Sequence, residues 1–261
     1  MGTRARPGAH FYSHHVYPTS IAPIAIHRKL LFPGIDFTDR SVRWVRNGYR
    51  EKELTSTMGN EIALPPPSFK AANPGPLGLA GFGLTTVVLS CVNAGILPPG
   101  AVAAVVPLAF AYGGVAQIIA GVLEFKTGNT FGMVAFTSYG VFWWWFAFMK
   151  WTVGAGWLQT PPASAVAVTL LMWGVFTFLL WIVSFRLSRA VWSIFLLLWI
   201  TFFLLAAGDF GYLIGSWSCG KIGGFFGLLT GIDALLVAFI EVLNATAGRV
   251  VISLGQPLIR N

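Results

Sequence analysis

Charge is scarce in this sequence, and the scarcity is uneven. Asp, Glu, Lys and Arg make up 10% of its residues, against about 25% in an ordinary soluble domain. Residues 1–70 hold ten of the 17 Lys/Arg and five of the nine Asp/Glu. Everything after residue 70 shares seven basic and four acidic side chains, too few to coat a water-soluble fold of that size. Cysteine is nearly missing: Cys91 and Cys219 make no disulfide framework. The four histidines, His10, His14, His15 and His27, lie near the amino terminus and form no metal-ligand spacing with the cysteines. No phosphate-binding loop, HExxH, GxSxG or paired CxxC occurs, and no nucleophile–base pair can be drawn. These gaps argue against an enzyme and against a metal or organic cofactor.

What abounds is apolar surface. Hydrophobic residues reach 56% and the mean hydropathy is +0.71. A bilayer span needs about 20 mostly apolar residues, and six stretches after residue 70 qualify: 77–97, 101–123, 131–149, 163–185, 190–207 and 222–243. LPPG, EFKTGN, QTPP, RLSR and a Gly/Ser/Cys/Lys loop separate them. The expected fold is an all-α integral membrane protein with six transmembrane helices. With the amino terminus in the cytoplasm, Lys126, Arg186, Arg189, Arg249 and Arg260 fall inside, and only Lys150 and Lys221 fall outside. Both termini are therefore expected in the cytoplasm. Trp143, Trp144, Trp145, Trp151 and Trp157 cluster at the outer end of the third span, as an interfacial belt would. The pI of ≈ 9.9 reads as positive-inside loops, not as nucleic-acid binding.

Residues 1–70 read as a basic, poorly ordered cytoplasmic tail that precedes a transporter domain at 71–261. Pro7, Pro18, Pro23 and Pro33 interrupt any long helix, and PPP at 65–67 closes the segment. No apolar run suits a secretory signal. The first 35 residues lack Asp and Glu, as a transit peptide does, but the prolines oppose the amphipathic helix such a peptide needs. Met58 is a plausible start of its own.

Three motifs carry a resemblance. NPGPLGLAGFGLTT (73–86), YGGVAQIIAGVLEFKTGNTFGMVAFTSYGVFW (112–143) and EVLNATAGR (241–249) resemble the signatures of the acetate uptake transporter family. Gly75 stands where the family signature has Ala. The resemblance implies a six-helix protomer assembling as a homohexamer in the plasma membrane, with acetate and related short carboxylates, commonly with protons, moving through each protomer. A membrane sensor of acetate on the same scaffold, or ammonium-linked transport, is the alternative.

The resemblance also implies a hydrophobic constriction at Phe82, Tyr139 and Leu198. All three spans start on one side, and at about 1.5 Å per residue these side chains lie roughly 8–12 Å deep, level enough to form one ring. Such a ring gates by bulk or dewetting, and the Tyr139 hydroxyl could bond a carboxylate. Asn73, Gln117, Glu124, Asn129 and Glu241 are candidates for a vestibule on the same side, although simple interfacial hydration would also suit the glutamates. The glycines of the first motif also suit close helix packing alone. Asp233 falls near the midplane, where the family usually has a small uncharged residue. A charge there costs about 2.5–3.5 kcal/mol on insertion scales. A partner, water or a proton must offset it, so Asp233 is a candidate for proton coupling; a hydrogen bond to a neighbouring helix would serve as well.

Overall fold

The structure, a computed structural model, describes residues 71–259; the tail, its boundary at residue 70 and the Met58 start lie outside these residues. The described chain is six helices long and apolar enough to cross a membrane: α1 Gly75–Asn93, α2 Pro99–Thr127, α3 Thr130–Gly154, α4 Ala163–Ser184, α5 Arg189–Asp209 and α6 Cys219–Ala247. The six predicted spans are all present. Several ends differ from expectation: α1 stops four residues before 97, and α2 runs four past 123. α3 runs five residues past the predicted end at 149 because Lys150 stays helical, its flexible stem carrying the charge outward. α6 starts three residues early and ends four late. The loop before α6 holds a two-stranded hairpin, β1 Leu213–Ile214 and β2 Trp217–Ser218, turning at Gly215 with φ +60°.

The glycines of the first motif sit where other helices touch α1. A Cβ at Gly78 would lie 2.6 Å from the Phe136 ring of α3. One at Gly81 would lie 2.7 Å from the Tyr112 carbonyl of α2, and one at Gly83 2.8 Å from the Gly231 carbonyl of α6. Three missing side chains thus admit three neighbours, which is how helices associate where lipid removes the hydrophobic drive. The prolines do no harm, because Pro74 and Pro76 sit at the start of α1, where an N–H has no helical acceptor anyway.

α2 is not uniform. Pro107 lies inside it, gives no N–H and crowds the preceding turn. The wide π turns Ala109–Ala116 follow directly. The Phe110 carbonyl accepts a 3.1 Å bond from Trp144 Nε1, and a Cβ at Gly114 would overlap that indole.

The tryptophans are not one belt. Trp143 is buried, because it lies mid-helix in the lengthened α3, and only Trp151 and Trp157 are well exposed. The chain after α6 folds back on the bundle. Asn244 accepts from the backbone N–H groups of Val251 (2.7 Å) and Ile252 (3.0 Å) and donates to the Ile252 carbonyl (2.8 Å). The Leu254 carbonyl then accepts from Ala190 N–H of α5 at 3.1 Å.

Candidate functional site

Two cavities enter the bundle from opposite ends. The first, about 280 Å³, is bounded by the beginnings of α1, α3 and α5 and the ends of α2 and α6. Eight of the nine sequence-predicted site residues line it: Asn73, Phe82, Gln117, Glu124, Asn129, Tyr139, Leu198 and Glu241. Asp233 does not.

The mouth is set by helix caps. Asn73 Oδ1 accepts from Gly75 N–H at 2.9 Å, taking an orphan donor of α1. Its Nδ2 donates to Glu241 Oε2 at 3.1 Å. Gly128, at φ +75°, ends α2 in the left-handed region, and Asn129 Oδ1 then caps α3 through Gly132 N–H at 3.0 Å. Glu124 is only 2% exposed and accepts from Thr127 Oγ1 at 3.0 Å. A Cβ at Gly75 would sit 3.0 Å from Glu241 Oε2 and 3.6 Å from Glu124 Oε1. The two carboxylates therefore flank one point, and glycine leaves room where an alanine would press on them.

Deeper in, the walls turn apolar, with one exception. Gln117, the first residue after the π turns, is 1% exposed and lines the cavity, yet its Oε1 has no partner. Leaving such a group unpaired costs about 1–3 kcal/mol, so its position calls for a polar visitor.

The floor is an aromatic partition. Tyr139 is its hub, with ring centroids 5.8 Å from Phe82, 6.1 Å from Phe195, 6.0 Å from Trp173 and 5.9 Å from Phe176. Leu198 is buried beside them. The Tyr139 hydroxyl, however, is turned to α4. It lies 2.9 Å from Thr177 Oγ1, and Thr177 gives its own proton to the Trp173 carbonyl at 2.7 Å. Tyr139 is then the donor in the pair, and no phenolic proton remains for a carboxylate. Phe195 was missed in the sequence, though it lies one turn before Leu198 and shares its helix face.

Asp233 lies mid-helix in α6, half-buried, with Oδ2 accepting from Ser193 Oγ of α5 at 2.7 Å. Ser193 is also 2.9 Å from the Ala190 carbonyl. One hydroxyl proton cannot serve both acceptors fully.

The second cavity, about 360 Å³, lies beyond the partition. Its walls include Leu89 of α1, Phe142 and Phe146 of α3 and Leu205 of α5. Leu89 is seven residues from Phe82 and Leu205 seven from Leu198, but Phe142 is only three from Tyr139, so roughly 5–10 Å of packed apolar side chains divide the two spaces.

Six spanning helices with a cavity sunk into each end and an aromatic wall between them define a multi-pass membrane protein built around an interrupted path. Residues 55–255 match the GPR1/FUN34/yaaH family, and the chain belongs to that family. It is 39% identical over 187 residues to the succinate-acetate/proton symporter SatP of Escherichia coli, covering 72% of this chain and 97% of that protein. Against acetate permease A of Emericella nidulans it is 38% identical over 196 residues, 69% of this chain and 62% of the fungal one. The solved structure of the bacterial acetate channel SatP superposes with a TM-score of 0.67 at 39% identity, covering 71% of this chain and all of that one.

Proposed function

We propose that the protein carries acetate and related short monocarboxylates across the plasma membrane, along a path through each protomer joining the two cavities. The observation that carries this reading is Gln117: a buried amide whose oxygen has no partner, placed where the cavity turns from polar to apolar. That oxygen is an acceptor, so it suits the O–H of a protonated short carboxylic acid; an alkyl group needs a dry wall, and Phe82, Phe195 and Leu198 supply it. The names of the matched relatives and the fit to an acetate channel point the same way.

In this reading Phe82, Tyr139 and Leu198 divide the path and select by size. Asn73 and Asn129 hold the mouth open by capping two helices, and Glu124 and Glu241 set its charge. Protons accompany the anion or the path conducts it as a channel. Both termini face the cytoplasm, so the Asn73 mouth opens inward. Protomers associate as a homohexamer. The α6 stripe of Phe225, Leu229, Ile232, Leu236 and Phe239, exposed in the protomer and spaced four-three-four-three, supports helix-to-helix assembly.

Uptake of labelled acetate by proteoliposomes, with and without a pH gradient, tests the function. Saturable uptake is expected, and accumulation that rises with an inward proton gradient marks coupling. Acetate-blind liposomes would defeat the transport reading and favour a sensor.

A further inference from the structure

We propose that the second cavity is a docking chamber for monocarboxylate anions, held by Lys150 and Lys221 and tuned against dianions by Asp209. The proposal deepens the transport reading and rests on it. Lys150 comes from the end of α3, Lys221 from the start of α6 and Asp209 from the end of α5, and all three line one space. No ion pair within 4.0 Å joins these three side chains. Lys221 lies along the Gly95 turn after α1, its Nζ 4.0 Å from where a Gly95 Cβ would be. Lys150 Nζ stands 6.0 Å from the centroid of the Phe146 ring, one turn back on its own helix. Asp209 feels Lys150 electrostatically without pairing with it. Both lysines thus line the cavity without an ion pair to its one carboxylate.

The rest of the lining suits the other half of such a ligand. Asn93 adds an amide at the rim, while Phe142, Phe146 and Leu205 offer an apolar wall. A small anion with an alkyl tail matches both surfaces. Charge sets the preference further. Two lysines and one aspartate give the described lining a net charge of +1. A monocarboxylate brings it to neutrality, whereas a dicarboxylate leaves a surplus negative charge in a half-enclosed space. Asp209 therefore acts as the discriminating residue, by repulsion.

The test uses the full chain. Saturation-transfer NMR with sodium acetate on detergent-solubilised protein reads binding independently of transport, and proteoliposome uptake reads KM. Lys150→Gln and Lys221→Gln should each weaken acetate binding and raise KM about threefold to tenfold, and should flatten the salt dependence of both. Asp209→Asn should act in the opposite direction, lowering the succinate concentration that half-inhibits labelled acetate uptake by about threefold. Acetate binding and KM unchanged in the Lys150→Gln/Lys221→Gln double variant would overturn the chamber. Unchanged succinate competition in Asp209→Asn would overturn the tuning. Lysine-dependent binding in a protein that moves no acetate would support the chamber and defeat only the transport reading.

Discussion

The two mouths of this bundle are made from the ends of the same helices, yet they carry opposite charge. The mouth at the start of α1 is lined by Glu124 and Glu241, with no Lys or Arg among its described lining residues. The mouth at the end of α1 is lined by Lys150, Lys221 and Asp209. An anion crossing such a protomer is drawn in at one end and opposed at the other. The difference teaches that a carboxylate path need not be basic throughout: attraction at one end and an acidic other end can serve one passage. In the proposed proton-coupled mode, an anion passing two carboxylates travels most easily with a proton.

The largest effect should come from removing the wall that keeps the two ends apart. Phe82→Ala with Leu198→Ala would join the cavities, and propionate, lactate and succinate should then compete with labelled acetate nearly as well as acetate does. Leu198→Ala alone should admit the larger monocarboxylates; an unchanged competition profile would mean that the wall is not the size filter. Next is Gln117→Leu. It removes the amide with the unpartnered oxygen from the acidic end, so acetate uptake should fall about tenfold, the equivalent of one neutral hydrogen bond. Thermal stability should hold or rise, because a buried orphan acceptor is gone. That pairing of lost uptake with retained stability separates a substrate contact from a structural one.

Glu241→Gln should have a smaller consequence. The new side chain can still accept from Asn73, but one of two like charges disappears, and acetate presented at that mouth should half-saturate at roughly twofold to fivefold lower concentration. No change would mean that the acidic end does not oppose anions. The smallest effects belong to groups outside the path. Tyr139→Phe keeps the ring and loses only its bond to Thr177, costing about 1 kcal/mol of stability with the substrate profile intact. Asp233→Asn keeps a partner for Ser193, and proton-driven accumulation should match the parent's. Loss of that accumulation would assign a coupled proton to Asp233.

The six spans were legible because each is a window of apolar residues long enough for a bilayer. Much of the acidic cavity was legible too, because seven of the eight anticipated residues that line it fall within three local motifs; the α5 wall, Leu198 and Phe195, lies outside them. The direction of the Tyr139 hydroxyl was not, since Thr177 lies 38 residues away on a helix with no motif. Asn244 sat in plain view within EVLNATAGR, but its partners Val251 and Ile252 belong to a returning segment that no periodicity announces. The basic cavity was invisible for the same reason: Lys150, Asp209 and Lys221 meet only once α3, α5 and α6 are packed. In the sequence each reads as an isolated charge at a loop.

The wide turns at Ala109–Ala116 leave α2 out of step with an ordinary helix. Restoring the regular pitch without removing a residue from AFAYGGVA would rotate everything downstream by about 100°. Gln117 and Glu124, seven residues apart and now on one side, would swing away from the cavity together. The wide turns between Pro107 and Gln117 are thus a phase setting: losing them at constant length turns the polar face of α2 into lipid, and removing one residue along with them brings it back.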